Sequence, residues 1–217
     1  MNTSGNKVSF YMILWLFIFF TFLIWSGINP VDRFTWYLEV APAVFALTAM
    51  AVTRKKFPLS KFTYVLILIH CLILMYGGKY TYAENPLFYY LGDLFGWERN
   101  NYDKLGHLAQ GFIPAIVFRE VLIRNEVLKK QSWTAFISVC FCLAVSAFYE
   151  LLEWWVSLFS GDEGDAFLGT QGYVWDTQSD MFLAMIGAIM ALLFFSKTSD
   201  KSIAKLTELK PDRETVT

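Results

Sequence analysis

Three segments of the sequence carry ionisable and amide side chains at spacings that place them on one face of a helix. Residues three, four or seven apart share a helix face, because one turn takes about 3.6 residues. The sets are Asp103, His107 and Gln110 in "YDKLGHLAQGF", Glu150 and Glu153 in "FYELLEWW", and Asp176 and Asp180 in "GYVWDTQSDMF". One histidine near several carboxylates can exchange protons or bind a cation.

The deepest members of these sets are the candidate catalytic residues. His107, Glu150 and Asp180 fall about a turn or more inside apolar segments, where an ionisable side chain is costly unless it is paired or hydrated. A histidine titrates near neutrality, so the three residues form a candidate acid–base set for hydrolysing or transferring a lipid-linked group. The candidate supporting residues are Asp103, Lys104, Gln110, Glu153 and Asp176.

A divalent metal is a possible cofactor of the same residues, with His107, Glu150 and Asp180 as its ligands. One imidazole among carboxylates suits a hard or borderline ion such as Mg²⁺, Mn²⁺ or Zn²⁺. The sequence contains no HExxH motif, no histidine pair and no cysteine ligand set, so no known metal motif supports this prediction. It also contains no serine elbow, P-loop or dinucleotide fingerprint.

The segments that must position these residues are long and apolar. Of the 217 residues, 56% are hydrophobic and 17% are charged, and the charges are clustered. The uncharged runs between the clusters include 8–31, 62–78, 131–149 and 181–196. An apolar run of about 18 or more residues can cross a bilayer as a helix, so the sequence predicts an all-α, polytopic membrane protein. The net charge of −1, without a basic stripe, argues against a nucleic-acid partner.

Six transmembrane helices are predicted, in a single domain over residues 1–196 that is followed by a polar tail, 197–217. The predicted spans are about 10–28, 36–52, 62–78, 105–123, 133–155 and 177–196. Lys and Arg concentrate on the side that holds both ends of the chain, which predicts that the N- and C-termini are cytoplasmic. The basic residues on the other side are Arg33, Lys79, Arg99 and Lys104.

With this orientation, all three polar sets fall at the outer ends of the fourth, fifth and sixth spans. The loop between the last two spans adds Asp162, Glu163, Asp165 and Gln171 on the same side. If the three helices are neighbours, their polar faces form an outward-facing pocket. We expect this pocket to bind or hydrolyse an amphiphilic substrate, such as an envelope lipid or a cell-wall precursor. The alternatives are a solute or ion transport or binding protein, and a structural protein whose polar network holds the helices together.

Other residues within the spans have simpler explanations. His70 is expected to pack or bond between helices. Arg119 and Glu120 are expected to snorkel to the inner interface. Gly187 and Ala191 form a small-xxx-small pair, which predicts close helix packing.

At "YDKLGHLAQGF", "FYELLEWW" and "GTQGYVWDTQSDMFLAMIGA" the sequence resembles the YjdF family of small bacterial inner-membrane proteins. The similarity extends over most of the chain in length and span order, and its specific motifs run from about Tyr102 to Ala191. The resemblance implies a multi-pass protein of the bacterial inner (cytoplasmic) membrane in contact with membrane lipids. It implies no reaction, because that family is uncharacterised.

A more distant similarity is to the VanZ-like membrane proteins. Their Asp-Lys-x-x-His pattern at the start of a helix matches Asp103, Lys104 and His107. Two positions depart from their pattern, because Glu153 stands where they have Gln and Ala184 where they have Asn. The similarity implies that the outer polar residues have a purpose, without naming a shared substrate.

Overall fold

The computed structural model describes residues 10–160, 167 and 171–208 of the chain. These residues are mainly helical, and no strand occurs among them. The helices are α1 (Phe10–Gly27), α2 (Arg33–Thr53), α3 (Lys61–Lys79), α4 (Pro86–Phe95), α5 (Tyr102–Arg124), α6 (Gln131–Ser160) and α7 (Asp176–Glu208). The loop residues Asp162, Glu163 and Asp165 lie outside the described residues.

Six of these helices are long and apolar enough to cross a membrane, which confirms the predicted polytopic helical fold. They are α1, α2, α3, α5, α6 and α7. Their outer surfaces carry large apolar side chains such as Phe17, Phe136 and Leu193, all more than half exposed. Side chains of this kind are stable against lipid tails and not against water, so these surfaces face the bilayer.

The segment between α3 and α5 contains a short helix that is not among the predicted spans. α4 begins where the Asn85 side chain accepts hydrogen bonds from the amides of Leu87 and Phe88, with Pro86 in its first turn. It ends at Gly96, whose φ of 70° lies in the left-handed region that glycine adopts without strain. At 10 residues, α4 is too short to cross a bilayer.

The last helix continues beyond the predicted end of its span. α7 reaches Glu208, so the first part of the polar tail extends the helix. Its Asp200 carboxylate accepts a hydrogen bond from Arg119 at 2.7 Å. Arg119 and Glu120 are 2% and 0% exposed, so the expectation that they snorkel to water is wrong. The extended α7 and the segment before α3 supply partners that keep both side chains inside the bundle.

α5 and α7 approach each other closely. The backbone carbonyl groups of Ala184 and Leu108 lie where a Cβ would stand on Gly111 and Gly187, respectively. Glycine is therefore required at both positions, and Ala191 is fully buried, which confirms the predicted close packing. Because His107 and Asp180 lie one turn before Gly111 and Ala184, respectively, the packing also brings their helix ends side by side.

An apolar core fills the middle of the bundle between α3, α5, α6 and α7. Its buried members are Leu66, Ala109, Ile113, Ala115, Ile116, Cys142, Ala188 and Ala191. The core separates the polar residues at the N-terminal end of α5 from those at its C-terminal end.

Candidate functional site

His107 lies in a polar cluster formed by the adjacent ends of α5, α6 and α7. Its Nε2 atom lies 3.3 Å from Asp103 Oδ1, one turn earlier in α5, and 3.7 Å from Glu150 Oε1 in α6. Its Nδ1 atom lies 3.0 Å from the amide oxygen of Gln110. An amide oxygen can only accept, so Nδ1 donates the proton of that bond while Nε2 faces the two carboxylates.

Lys104 connects α5 to α7 at the same end. Its ammonium group donates to the carboxylates of Asp176 and Asp180, the latter at 2.7 Å, and lies 3.6 Å from Asp103. Arg99, which precedes α5, donates to Asp176 Oδ1 at 2.8 Å, and Lys104 donates to the same oxygen. The Nε and Nη2 atoms of Arg99 are buried and have no hydrogen-bond partner among the described residues.

The structure brings the three candidate catalytic residues together and buries them. His107, Glu150 and Asp180 are 5%, 8% and 3% exposed. Glu153, one turn after Glu150, is also buried. The other supporting residues make contacts within the cluster, and these are Asp103, Lys104, Gln110 and Asp176. Gln171 lies outside it, because its side chain forms two hydrogen bonds with the backbone of Asn100.

Glu39 of α2 is a buried carboxylate that is not among the predicted site residues. The Tyr149 hydroxyl of α6 donates to its Oε2 atom at 3.2 Å. The Tyr149 ring meets the His107 ring edge to face, with centroids 6.4 Å apart. The cost of an ionisable residue inside a span was the available signal for Glu39. Its proximity to α6 cannot be deduced from spacing along the chain.

Tyr82, in the segment after α3, lies beside the cluster. Its φ of 55° lies in the left-handed region, and its ring occupies the space that a side chain on Gly77 or Gly106 would need. Burial raises the pKa of the Tyr82 hydroxyl well above its usual range. The hydroxyl therefore stays neutral and can donate to Glu39, with which it interacts.

Three side chains of the cluster lie close enough together to be candidate ligands of one cation. One ligand atom each from Asp103, His107 and Asp180 lie within 4.8 Å of one another. This set differs from the one predicted from the sequence, because Asp103 takes the place of Glu150. Glu150 lies beside the set and faces His107. An imidazole with two carboxylates suits hard or borderline ions.

Two apolar hollows on the surface of the bundle lie elsewhere. One is bounded by α1 and α2 at Leu23 and Phe45, and the other by α3 and α5 at Leu66 and Phe112. None of the polar residues named above lines either hollow, so neither is the predicted outward-facing pocket. The cluster instead reaches the surface through side chains such as Lys104, which is 17% exposed.

Comparison with known proteins finds relatives of this chain. A family model described as "Predicted membrane protein (DUF2238)" matches residues 11–201, a range that includes the whole polar cluster. The inner membrane protein YjdF of Escherichia coli (strain K12) is 45% identical over 175 residues, which cover 81% of this chain and 84% of that protein. No solved structure matches the chain.

Proposed function

Since this chain belongs to the DUF2238 family of membrane proteins, we propose that it binds and hydrolyses an amphiphilic molecule with a phosphate-bearing head group. The resemblance to the YjdF family is confirmed, and the chain is a multi-pass protein of the bacterial inner membrane. The proposed substrate is an envelope lipid or a cell-wall precursor. The observation that carries this proposal is the position of His107, whose Nε2 atom faces carboxylates from two helices.

In this proposal the polar cluster faces the outer side of the cytoplasmic membrane. Basic residues retained in the cytoplasm follow α2 and α5, at 54–56 and 129–130. The N-terminal end of α5 is then the outer end. The head group of an outer-leaflet lipid would meet the cluster there without crossing the bilayer.

Arg99 and Lys104 bind the anionic head group. The planar guanidinium group forms paired hydrogen bonds with phosphate oxygens, whereas an ammonium group acts as a point charge. Arg99 keeps two buried donors that no group in the described part of the chain accepts from. Lys104 already lies between α5 and α7, beside the histidine.

His107 acts as the general acid and base of the hydrolysis. A water molecule attacks the phosphorus atom, and its proton passes to the imidazole–carboxylate group. The bond between phosphorus and the leaving oxygen then breaks, and that oxygen receives the proton back. Asp103 and Glu150 stabilise the imidazolium ion that forms, while Gln110 fixes the orientation of the ring.

Two other functions fit the geometry less well. Transport needs a polar path from the cluster towards Arg119, but the apolar core around Ile113 and Ile116 lies between them. A purely structural network satisfies each of its buried polar atoms. Glu150 Oε1 is buried without a hydrogen-bond partner within the residues that the structure describes.

The test is lipid hydrolysis by the purified full-length protein in vesicles. The probes are vesicles of phosphatidylglycerol, with and without a polyprenyl diphosphate, and mass spectrometry measures the products. We expect turnover of one of these lipids by the wild-type protein. We expect a loss of about 100-fold or more in His107→Gln, because acid–base catalysis contributes about 10²–10⁴-fold.

His70→Gln is the matched control, because His70 is the other of the chain's two histidines and lies in α3. Its turnover should equal that of the wild type. The proposal fails if the wild type hydrolyses neither lipid, or if His107→Gln is as active as the wild type.

A further inference from the structure

We propose that the polar cluster binds a divalent cation, with Asp103, His107 and Asp180 as ligands and Glu150 as a fourth. The inference goes beyond the proposed function, because an ion on His107 Nε2 takes the place of the proton that this atom accepts in the hydrolysis. Cation binding can be measured without any lipid, so the two proposals can fail separately.

The spacing of the ligand atoms fits one ion. Oxygen and nitrogen ligands bind Mg²⁺, Mn²⁺ or Ca²⁺ at about 2.0–2.6 Å, so two ligands of one ion lie about 3–5 Å apart. The candidate atoms of Asp103, His107 and Asp180 lie within 4.8 Å of one another. His107 Nε2 lies 3.3 Å from Asp103 Oδ1. These separations are compatible with one ion shared by the three residues.

The hydrogen bond to Gln110 prepares His107 to be a ligand. Metal-binding histidines almost always donate their second ring N–H to an oxygen acceptor, which fixes the tautomer and the ring orientation. His107 Nδ1 has such an acceptor in the Gln110 amide oxygen, at 3.0 Å. In the neutral ring, the Nε2 lone pair then points at the carboxylates of Asp103 and Glu150. Three acceptors facing one another repel unless a cation or a proton lies between them.

Glu150 supplies a second and independent indication of a missing positive charge. The residue is 8% exposed, and its Oε1 atom is buried. That atom has no hydrogen-bond partner anywhere in the described ranges, yet it points towards His107 Nε2 at 3.7 Å. A buried carboxylate oxygen without a partner is costly, and a cation bound beside His107 would remove that cost.

The charge balance of the cluster also favours a cation. Its carboxylates are Glu39, Asp103, Glu150, Glu153, Asp176 and Asp180, and its permanent cations are Arg99 and Lys104. Arg99 and Lys104 both bind Asp176, so that carboxylate is neutralised first. Asp103 and Glu150 face the same His107 Nε2 atom, and Glu150 has no other cationic partner among the described residues.

Lys104 competes with the ion for Asp180. Its ammonium group lies 2.7 Å from Asp180 Oδ1, but it has Asp176 as an alternative partner. Removing the ammonium group should therefore strengthen cation binding. A neutral substitution at any ligand should weaken it. A gain in cation affinity on removing Lys104 and a loss on removing a ligand distinguish a specific site from general attraction of cations to an acidic surface.

The experiment is a Mn²⁺ titration of the chelator-treated full-length protein in detergent, followed by electron paramagnetic resonance. We expect one Mn²⁺ per chain, with a nitrogen coupling in the pulsed spectrum that His107→Gln abolishes. His107→Gln and Glu150→Gln should each weaken Mn²⁺ affinity by about 10-fold or more. Glu150→Gln guards against misfolding, because Oε1 has no hydrogen bond within the described chain to lose.

Lys104→Gln should bind Mn²⁺ more tightly than the wild type, and Asp200→Asn should bind it equally well. Asp200 is the matched control, because it is a carboxylate at the opposite end of α5. The inference is overturned if no Mn²⁺ binds, if both ligand variants bind it as the wild type does, or if Lys104→Gln does not strengthen binding. Mn²⁺ binding without lipid hydrolysis would support the cation site and overturn the proposed function. Lipid hydrolysis by protein that binds no Mn²⁺ would support the proposed function and overturn the cation site.

Discussion

Each end of α5 lies beside a buried carboxylate, Glu120 at the C-terminal end and Glu150 at the N-terminal end, but only Glu120 has hydrogen-bond partners on both oxygens among the described residues. At the C-terminal end, Glu120 Oε1 accepts hydrogen bonds from the Ser60 amide at 2.7 Å and from Arg124 at 3.1 Å. Its Oε2 atom accepts from the Thr63 hydroxyl. At the N-terminal end, Glu150 Oε1 has no such partner in the portion of the chain that is described.

Glu120 owes its full set of partners to the start of α3. Ser60 caps that helix, so Glu120 lies where the free amide groups and the positive end of the helix dipole favour a carboxylate. Arg124 also donates to the Pro58 carbonyl at 2.6 Å and lies over the Phe57 ring. A buried carboxylate with all its partners holds helices together, whereas one with an unpartnered oxygen retains the capacity to bind something else.

Replacing Glu120 should have the largest effect on stability. Glu120→Ala removes the acceptor shared by Ser60, Thr63 and Arg124, so we expect the free energy of unfolding to fall by about 3–5 kcal/mol. Glu150→Ala leaves a similar cavity but breaks fewer hydrogen bonds, so its cost should be smaller by about 2 kcal/mol. Equilibrium unfolding in mixed detergent micelles measures both. Equal losses would remove the distinction between the two ends.

Gly111→Ala should have an intermediate effect, and it should fall on the N-terminal cluster. A Cβ on Gly111 would overlap the Ala184 carbonyl group, so α5 and α7 must separate, at a cost of about 1–3 kcal/mol. The separation would also loosen the contact between Lys104 and Asp180. Thermal unfolding of the purified protein measures the change.

Gly92→Ala is the control for this substitution. The nearest atoms to a Cβ on Gly92 lie 3.7 and 3.9 Å away, which is ordinary contact. If Gly111→Ala unfolds at the same temperature as Gly92→Ala, the close approach of α5 and α7 does not position the cluster.

Helix periodicity predicts which side chains of α5, α6 and α7 share a helix face, whereas the meeting of the three faces depends on the assumption that the helices are neighbours. His107, Glu150 and Asp180 recur at turn spacing near the ends of three apolar runs, and neighbouring antiparallel helices bring such ends together. Arg99 lies in a loop, where the spacing of residues along the chain does not predict the direction of a side chain. Glu39 depends on the placement of α2 relative to α6, which is a property of packing.

Arg119 and Glu120 show why burial could not be deduced from position along a span. Charged residues near a span end usually reach water through a flexible stem. Here the backbone at Ser60 and the extended α7 cover them, and neither contact has a signature in the neighbouring sequence. Position within a helix predicts the depth of a residue in the bilayer, whereas its exposure depends on which other segments cover it.

Asp200→Asn should have the smallest effect, although its partner is among the most buried side chains. Arg119 is 2% exposed and donates to Asp200 Oδ1 at 2.7 Å, but the Asp200 side chain is 44% exposed. Water therefore screens the pair, and asparagine keeps an oxygen that can accept from Arg119. We expect a loss of about 0.2–1 kcal/mol at low ionic strength. At 1 M salt, where the screening length is about 3 Å, the loss should be close to zero.

Unfolding of Asp200→Asn and of the wild type, measured at both salt concentrations, tests this expectation. A salt-independent loss as large as that of Glu120→Ala would show that Arg119 depends on the charge of Asp200, and that the C-terminal end of α5 is balanced by this ion pair as well as by Glu120.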